Sequence, residues 1–199
     1  MTWSRRVRDV EEARAALADP AGALDLRAPG ALDDDWRALG AVEVVPGELA
    51  VPVPQELPDL AATQALGARL AGGLRAGDLV VLSGPLGAGK TALTQGIGAA
   101  LHVRGAVTSP TFVLARVHRG ALPLVHVDAY RLREAGASLH LDDLDLDDEL
   151  PHSVTVVEWG EGVVESLSES RLHVQLERPG DQPGRTARVF PVGPRWAGA

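Results

Sequence analysis

One short stretch constrains the fold of this chain more than any other: residues 84–91 read G-P-L-G-A-G-K-T and match the phosphate-binding pattern G-x-x-x-x-G-K-[ST]. This pattern works between a strand and a helix, because backbone N–H groups of the loop and of the helix N-terminus hold the phosphates. Both neighbours are predicted here. The apolar run from Asp78 to Ser83 is typical of a buried parallel strand, and Thr91 to Leu101 predicts a helix.

The motif also contains the only lysine of the chain, Lys90. An ammonium is a compact point charge and suits a cradle between β- and γ-phosphates better than a broad guanidinium does. The alternative is a glycine-rich turn before an ordinary helix, and the flanking strand and helix favour the phosphate site. We predict that Lys90 reaches the phosphates and that the Thr91 hydroxyl ligates Mg²⁺. The predicted nucleotide contacts in this stretch are Gly84, Leu86, Gly87, Ala88, Gly89, Lys90, Thr91 and Ala92.

Two further apolar runs end in a carboxylate, L-V-H-V-D at Asp128 and V-T-V-V-E at Glu158. Hydrolysis of a nucleoside triphosphate needs such a group at the end of a neighbouring strand, to hold the metal or to position water. A single acidic residue at a strand end often serves solubility alone. Two of them beside a phosphate loop favour a functional role, so we predict Lys90, Asp128 and Glu158 as catalytic residues.

The segment T-S-P-T-F, residues 108–112, follows the predicted phosphate-loop helix. It reads equally well as a proline turn entering a strand and as a switch whose hydroxyls sense the γ-phosphate or its metal. The six histidines show no metal-ligand spacing. We expect His126 to be a packed core residue rather than a catalyst, and His118 and His173 to lie at the surface or at strand edges.

The remaining pattern predicts an α/β fold, a three-layer P-loop NTPase domain over residues 53–199 with a mostly parallel central sheet and antiparallel edge strands. Leucines near helical spacing predict a helix from Asp59 to Leu74. Alternation of polar and apolar residues predicts half-exposed strands at the sheet edge. These two strands are Arg171–Leu176 and Ala187–Val192, and the apolar runs predicted as strands are Thr111–His118, Leu122–Val127 and Val154–Val157.

Residues 1–52 read as a separate N-terminal extension with some disorder, to which the sequence assigns no role. Within it, Glu11–Leu17 predicts a short helix and Ala41–Val45 a short strand. Pro46, Pro52 and Pro54 indicate a linker that leads into the domain.

Composition narrows the function classes. The net charge is −8 over 199 residues, and the chain shows no basic face of the kind that free-standing nucleic-acid binders use. The acidic run at residues 142–149 is either a solvated face or a docking surface for a basic partner.

The absence of cysteine excludes thiolate catalysis. With no secretory leader and no apolar run long enough to cross a bilayer, we expect a cytoplasmic protein that does not contact membranes.

Taken in order, L-S-G-P-L-G-A-G-K-T, V-T-S-P-T-F-V-L, L-V-H-V-D-A-Y-R-L and V-V-E-W resemble the motifs of the bacterial TsaE (YjeE) family over about residues 57–192. These are small ATPases of tRNA threonylcarbamoyladenosine biosynthesis. The resemblance implies a cytoplasmic protein that uses ATP and Mg²⁺ and works with the TsaD–TsaB pair. That pair modifies the adenosine next to the anticodon, so this chain would meet tRNA indirectly and reset the complex between turnovers.

The resemblance also implies roles for individual residues. Glu158 corresponds to the glutamate of the E-W motif, which lies near Mg²⁺ and matters for hydrolysis, and Asp128 to the Walker B-like aspartate. Trp159 corresponds to the tryptophan close to the nucleotide, and Thr63 and Arg185 to outlying nucleotide contacts. The switch-like loop corresponds to Thr108, Ser109, Pro110 and Thr111. The chain departs from the usual pattern at Ala129, where leucine is common, at Gly160, where proline is frequent, and in its N-terminal extension.

Other nucleotide-binding classes fit less well. A regulatory GTPase would need a second lysine for N-K-x-D, and an ABC-type ATPase would need L-S-G-G-Q; neither is present. A P-loop kinase for a small metabolite is the alternative enzyme class, with Arg131 and Arg133 as candidate lid residues. A nucleotide-dependent binding module without turnover would share every residue named above, so the sequence leaves it open.

Overall fold

The structure, a computed structural model, describes most of the chain from residue 48 onward and two short N-terminal segments. The described residues are 4–5, 42–45, 48–110, 114–130, 148–161, 164, 167–178 and 184–196. The predicted helix at Glu11–Leu17 and most of the acidic run at 142–149 lie outside these ranges, as do Thr111, Arg131 and Arg133.

A strand precedes the phosphate-loop motif and a helix follows it, as the motif requires. In chain order the elements are β1 (Ser4–Arg5), β2 (Val42–Val45), β3 (Glu48–Pro52), β4 (Gln55–Leu57), α1 (Leu60–Ala71), β5 (Leu79–Ser83), α2 (Lys90–Ala100), β6 (Ala115–His118), β7 (Leu124–Asp128), β8 (Val154–Glu158), β9 (Arg171–Glu177) and β10 (Arg185–Val192). Short 3₁₀ turns at Leu150–His152 and Pro194–Trp196 complete the described part.

Within the described residues, seven strands form the central sheet in the order β4-β10-β9-β5-β8-β7-β6. The four strands β9, β5, β8 and β7 run parallel to one another, whereas β10, β4 and β6 join antiparallel. The predicted α/β class with a mostly parallel centre and antiparallel edges is therefore confirmed. Because β5 lies beside β8, and β8 beside β7, the carboxyl ends of three neighbouring strands meet at one edge of the sheet.

Both described helices pack on the same face of this sheet. Asp59 caps α1 by accepting a hydrogen bond from the Ala62 backbone N–H at 2.7 Å, which satisfies one of the unpaired donors of the first turn. From α1, Leu66 and Leu70 are buried against the core, as are Leu93 and Ile97 from α2. Each such side chain contributes about 1.5–3 kcal/mol by burial. This packing fixes α2, and with it the phosphate loop, on the sheet.

The opposite face of the sheet has its own apolar cluster. Val81, Val127 and Val157 are buried there, and Val164 packs over them. The strands β5, β7 and β8 are buried on both faces, which explains their continuous apolar sequence.

The prediction that β9 and β10 lie at the sheet edge is wrong. Both alternate half-exposed and buried residues as expected, but β4 pairs with β10 and takes the edge position. Alternation of polar and apolar residues indicates that one face of a strand is partly exposed to solvent. It does not indicate which strands pair with that strand in the sheet. His173 therefore sits in an inner strand. His118 lies on the edge strand β6 as predicted, yet it is buried rather than exposed.

The predicted linker before the domain is also wrong. The chain there forms β3 and β4, with Pro52 as the last residue of β3 and Pro54 between the two strands. Proline lacks a backbone N–H and is tolerated at strand ends, so these residues mark the ends of strands and not an irregular segment. The strands β1, β3 and β2 form a small antiparallel sheet in which β2, predicted as Ala41–Val45, is confirmed at Val42–Val45. The division of the chain at residue 52 stays a prediction.

Candidate functional site

The phosphate-binding loop joins β5 to α2 at the carboxyl edge of the sheet. Gly84 has φ 135° and Gly89, the residue before α2, has φ 104°, both in the region that favours glycine. A Cβ on Gly84 would also overlap the Leu176 carbonyl oxygen. The loop can therefore turn sharply beside β9, and it leaves the N-terminus of α2 directed at the site, where the helix dipole favours an anion.

Lys90, the first residue of α2, is 5 % exposed and held over the loop. Its Nζ donates hydrogen bonds to the carbonyl oxygens of Gly84 at 2.8 Å and Pro85 at 3.0 Å, and lies 3.6 Å from the centre of the Trp159 ring. Burial lowers the pKa of Lys90 below its ordinary value of 10.5, while the charges of Glu158 and then Asp128 oppose that shift. The two carboxylates thus favour the charged form of Lys90, whereas burial disfavours that form.

The two predicted catalytic carboxylates stand side by side. Asp128 and Glu158 are direct partners in the register of the parallel strands β7 and β8, and each is the last residue of its strand. The hydroxyl of Thr91 donates to Oε1 of Glu158 at 2.9 Å, and that of Ser109 donates to Oδ2 of Asp128 at 3.0 Å. The sequence placed both residues at strand ends, and the structure brings them together beside the loop.

These residues fit a magnesium ion. Mg²⁺ prefers hard oxygen ligands, and in nucleotide sites it takes one or two from the protein and the rest from phosphate and water. The Thr91 hydroxyl and the Glu158 carboxylate are neighbours at the loop, which is the required donor chemistry. Over the described part of the chain no group of three His, Cys, Asp or Glu side chains forms a cage that would bind a metal by itself.

A cleft of about 720 Å³ opens between the loop, α2 and the ends of β7 and β8. It is large enough for a nucleotide-sized ligand. Its lining residues are Leu86, Gly87, Gly89, Lys90, Thr91, Ala92, Ser109, Asp128, Tyr130, Glu158 and Trp159. All but Tyr130 were predicted as site residues from the sequence.

Other predicted residues lie around this cleft rather than in its lining. Thr63 is fully buried on α1, and a Cβ built on Gly89 would lie 3.4 Å from its methyl group and 3.1 Å from Nε of Arg185. Arg185 also donates from Nη2 to the Gly87 carbonyl at 3.4 Å, so both residues buttress the loop. The buried Ala88 and Gly84 belong to the loop itself. In the predicted switch, Thr108 accepts a hydrogen bond from Arg116, and Pro110 is buried.

Two residues of the site were missed. Tyr130 lies edge-on to Trp159 with 5.4 Å between ring centres, and its backbone N–H donates to Oδ1 of Asp128. Its position two residues after the predicted catalytic residue Asp128 is the sequence feature that could have identified it as a site residue. His126 was expected to be only a packed core residue, and it is fully buried; however, its Nε2 lies 2.9 Å from Oε1 of Glu158. Period-2 alternation along β7 puts His126 and Asp128 on the same face, which could have pointed to it.

Trp159 follows Glu158 in a left-handed backbone conformation, with φ 61°. A bulky residue there costs about 1–3 kcal/mol and persists only where the surroundings hold it. Its backbone N–H donates to the Leu82 carbonyl oxygen at 2.9 Å, while its indole ring contacts Lys90 and Tyr130. The strain lies at the junction of the carboxylate and the phosphate loop, as expected of a functional site.

Comparison with known proteins assigns this arrangement to a family. The family model described as threonylcarbamoyl adenosine biosynthesis protein TsaE matches residues 57–187, a range that includes the loop and both carboxylates. The chain belongs to the TsaE family. The resemblance noted in the sequence motifs is thereby confirmed.

Curated relatives with the TsaE name agree with this assignment. The Streptomyces coelicolor tRNA threonylcarbamoyladenosine biosynthesis protein TsaE is 59% identical over 140 residues, which cover 67% of this chain and 93% of that protein. The Mycobacterium tuberculosis TsaE is 55% identical over 129 residues, 61% of this chain and 77% of that protein.

Among solved structures, the crystal structure of Bacillus subtilis YdiB superposes with a TM-score of 0.58 at 29% identity. The match covers 73% of this chain and 88% of YdiB, and it supports the P-loop NTPase fold of this TsaE-family chain. In the residues that the structure describes, no helix is long and apolar enough to cross a membrane.

Proposed function

We propose that this chain is a Mg²⁺-dependent ATPase that hydrolyses ATP slowly by itself and acts with the TsaD–TsaB pair in threonylcarbamoylation of tRNA, in the cytoplasm. The observation that carries the proposal is the pairing of Asp128 with Glu158 in register, within hydrogen-bond reach of the phosphate-loop helix through Thr91. A phosphate site needs only the loop. Hydrolysis additionally needs a carboxylate at a neighbouring strand end, to hold the metal or to position water, and two such carboxylates stand beside the loop here.

The chain's own groups divide the work. Backbone N–H groups of the loop and the N-terminus of α2 bind the phosphates, and Lys90 exchanges its hydrogen bonds to the Gly84 and Pro85 carbonyls for phosphate oxygens. Thr91 and Glu158 would hold Mg²⁺, and the bound ion would neutralise charge that develops on the phosphates. Glu158, with Asp128 beside it, accepts a hydrogen bond from the attacking water and orients it.

Slow intrinsic turnover agrees with the contacts around Asp128. The Ser109 hydroxyl donates to this carboxylate, and Ser109 belongs to the segment 108–111 that we propose as the switch. A switch that contacts the metal or the γ-phosphate must exchange this hydrogen bond for new ones. We propose that the partner proteins favour the exchanged state, which would make hydrolysis depend on them.

The test is phosphate release from ATP by the purified chain, alone and with the cognate TsaD–TsaB pair and tRNA. We expect little release by the chain alone, stimulation by the pair, and repeated rounds of tRNA modification only when this chain is present. Absence of stimulation, with ATP consumption triggered instead by a small metabolite, would contradict the proposal and support the kinase alternative. ATP binding without any turnover in the complex would support the binding module.

A further inference from the structure

A buried histidine and a buried glutamate meet beneath the phosphate loop. His126 in β7 is fully buried and Glu158 is 3 % exposed, and 2.9 Å separates Nε2 of the ring from Oε1 of the carboxylate. Burying an imidazole and a carboxylate costs free energy unless they are hydrogen-bonded to each other or to other groups. A leucine at position 126 would fill similar space without that cost. The polar pair therefore calls for a reason beyond packing.

The sheet register explains how the pair forms. His126 is the direct partner of Val156 on the parallel strand β8, and Glu158 follows two residues later on the same face. That face is the one on which α2 packs, and Thr91 of α2 also donates to Oε1 of Glu158. One carboxylate oxygen is thus held from two different elements, a strand and the phosphate-loop helix.

The two oxygens of the Glu158 carboxylate differ in their hydrogen bonds. Among the described residues, Oε2 of Glu158 accepts no hydrogen bond, whereas Oε1 has both of these contacts. With Nε2 as the donor, the ring turns its other nitrogen, Nδ1, to a buried position that has no partner in the described part of the chain. A carboxylate oxygen serves as an acceptor, so we assign Nε2 of the ring as the donor of this hydrogen bond.

We infer that His126 is a positioning residue for hydrolysis: its Nε2–H fixes the rotation of the Glu158 carboxylate and leaves Oε2 available to the water and the metal ion that the cleft would hold. The inference rests on the proposed ATPase function and adds a residue to it. Side chains that hydrogen-bond to a metal ligand and orient it are important for activity. Their mutation typically lowers metal affinity or activity by about 10–100-fold. His126 acts through Glu158 and touches neither ATP nor Mg²⁺.

A matched control lies next to it. His118 on β6 is also a buried histidine, with its ring centre 6.4 Å from that of His126, but no contact joins it to Glu158. A role in packing alone predicts similar behaviour for both histidines. A positioning role predicts an effect on turnover for His126 only.

The experiment compares His126→Leu, His126→Gln and His118→Leu in the full chain, with the TsaD–TsaB pair and tRNA, below the melting temperature of each variant. We expect His126→Leu to lower kcat for ATP by about 10–100-fold while the calorimetric Kd for ATP changes by less than about threefold. His126→Gln, whose amide can donate near the position of Nε2, should recover most of that loss. His118→Leu should keep both values.

A second measurement needs no nucleotide. The ring-nitrogen NMR spectrum of the ¹⁵N-histidine-labelled chain should show a proton on Nε2 of His126, which Glu158→Gln should perturb. A proton on Nδ1 alone would overturn the inference, as would unchanged kcat in His126→Leu or an equal loss in His118→Leu. These results differ from failure of the proposed function, in which the unaltered chain itself would show no partner-stimulated phosphate release.

Discussion

The contact between α1 and α2 makes a prediction that can be worked out from the structure. Gly67 on α1 faces α2 so closely that a Cβ built on it would overlap the Leu93 carbonyl oxygen and lie 2.9 Å from the Ile97 backbone nitrogen. Both obstacles are backbone atoms of a helix that also packs on the sheet, so neither can rotate away. Gly67→Ala must push the two helices apart.

The size of the effect follows from two opposing contributions. Alanine is favoured over glycine within a helix by about 1 kcal/mol. Relieving the overlap requires a separation of about 1 Å between helices that ordinarily pack 8–10 Å apart, and overpacking of this kind costs about 1–3 kcal/mol, occasionally more. Leu66 and Leu70 lose contacts as α1 moves. We therefore expect a net loss of up to about 2 kcal/mol in the free energy of unfolding, which lowers Tm by up to about 8 °C.

Gly72 provides the control. It caps the same helix with φ −62°, a conformation that any residue adopts, and an added Cβ would meet only the Arg69 carbonyl oxygen at 3.4 Å. Gly72→Ala should leave stability unchanged or raise it by about 0.4–1 kcal/mol. Thermal unfolding followed by circular dichroism compares the two variants. A Tm for Gly67→Ala equal to or above that of Gly72→Ala would refute the reasoning.

Three further predictions concern the site and its surroundings. Lys90→Ala removes the ammonium from the phosphate loop and should weaken ATP binding by at least about 10-fold, measured by calorimetry, because a charged hydrogen bond contributes about 1.5–3 kcal/mol; unchanged affinity would contradict the assignment of Lys90. Glu158→Ala should keep ATP affinity within a few-fold and abolish turnover in the presence of the partners, and normal hydrolysis would remove Glu158 from the mechanism. Burial lowers the pKa of His118, with smaller contributions from the neighbouring His126 and Arg116. Because its folded pKa lies below the unfolded value of about 6.5, the unfolded chain binds more protons at acid pH, so stability is full above that pH and falls as pH drops below it. Denaturant unfolding between pH 7.5 and 5 should show a smaller fall for His118→Leu, and an identical pH dependence would exclude His118 as a contributor.

Local sequence settled the parts of this protein that depend on neighbours along the chain. The phosphate loop needs glycine at Gly84 and Gly89 and a strand and a helix on either side, all within some twenty residues, so its pattern predicted the structure there. The same holds for Asp128 and Glu158, since an apolar run ending in a carboxylate places that carboxylate at the end of a strand. The motifs were also enough to indicate the family, which the comparisons confirmed.

Only the tertiary structure decided which of these pieces meet. The pairing of Asp128 with Glu158, the position of β4 at the edge beside β10, and the contact of His126 with Glu158 all depend on the order of strands in the sheet. The close approach of α1 and α2 at Gly67 likewise joins residues far apart in sequence. Strand order is set by burial and pairing summed over the whole domain. The hydrophobic periodicity of a single segment shows which face of that segment is buried. It does not show which other segment packs against that face.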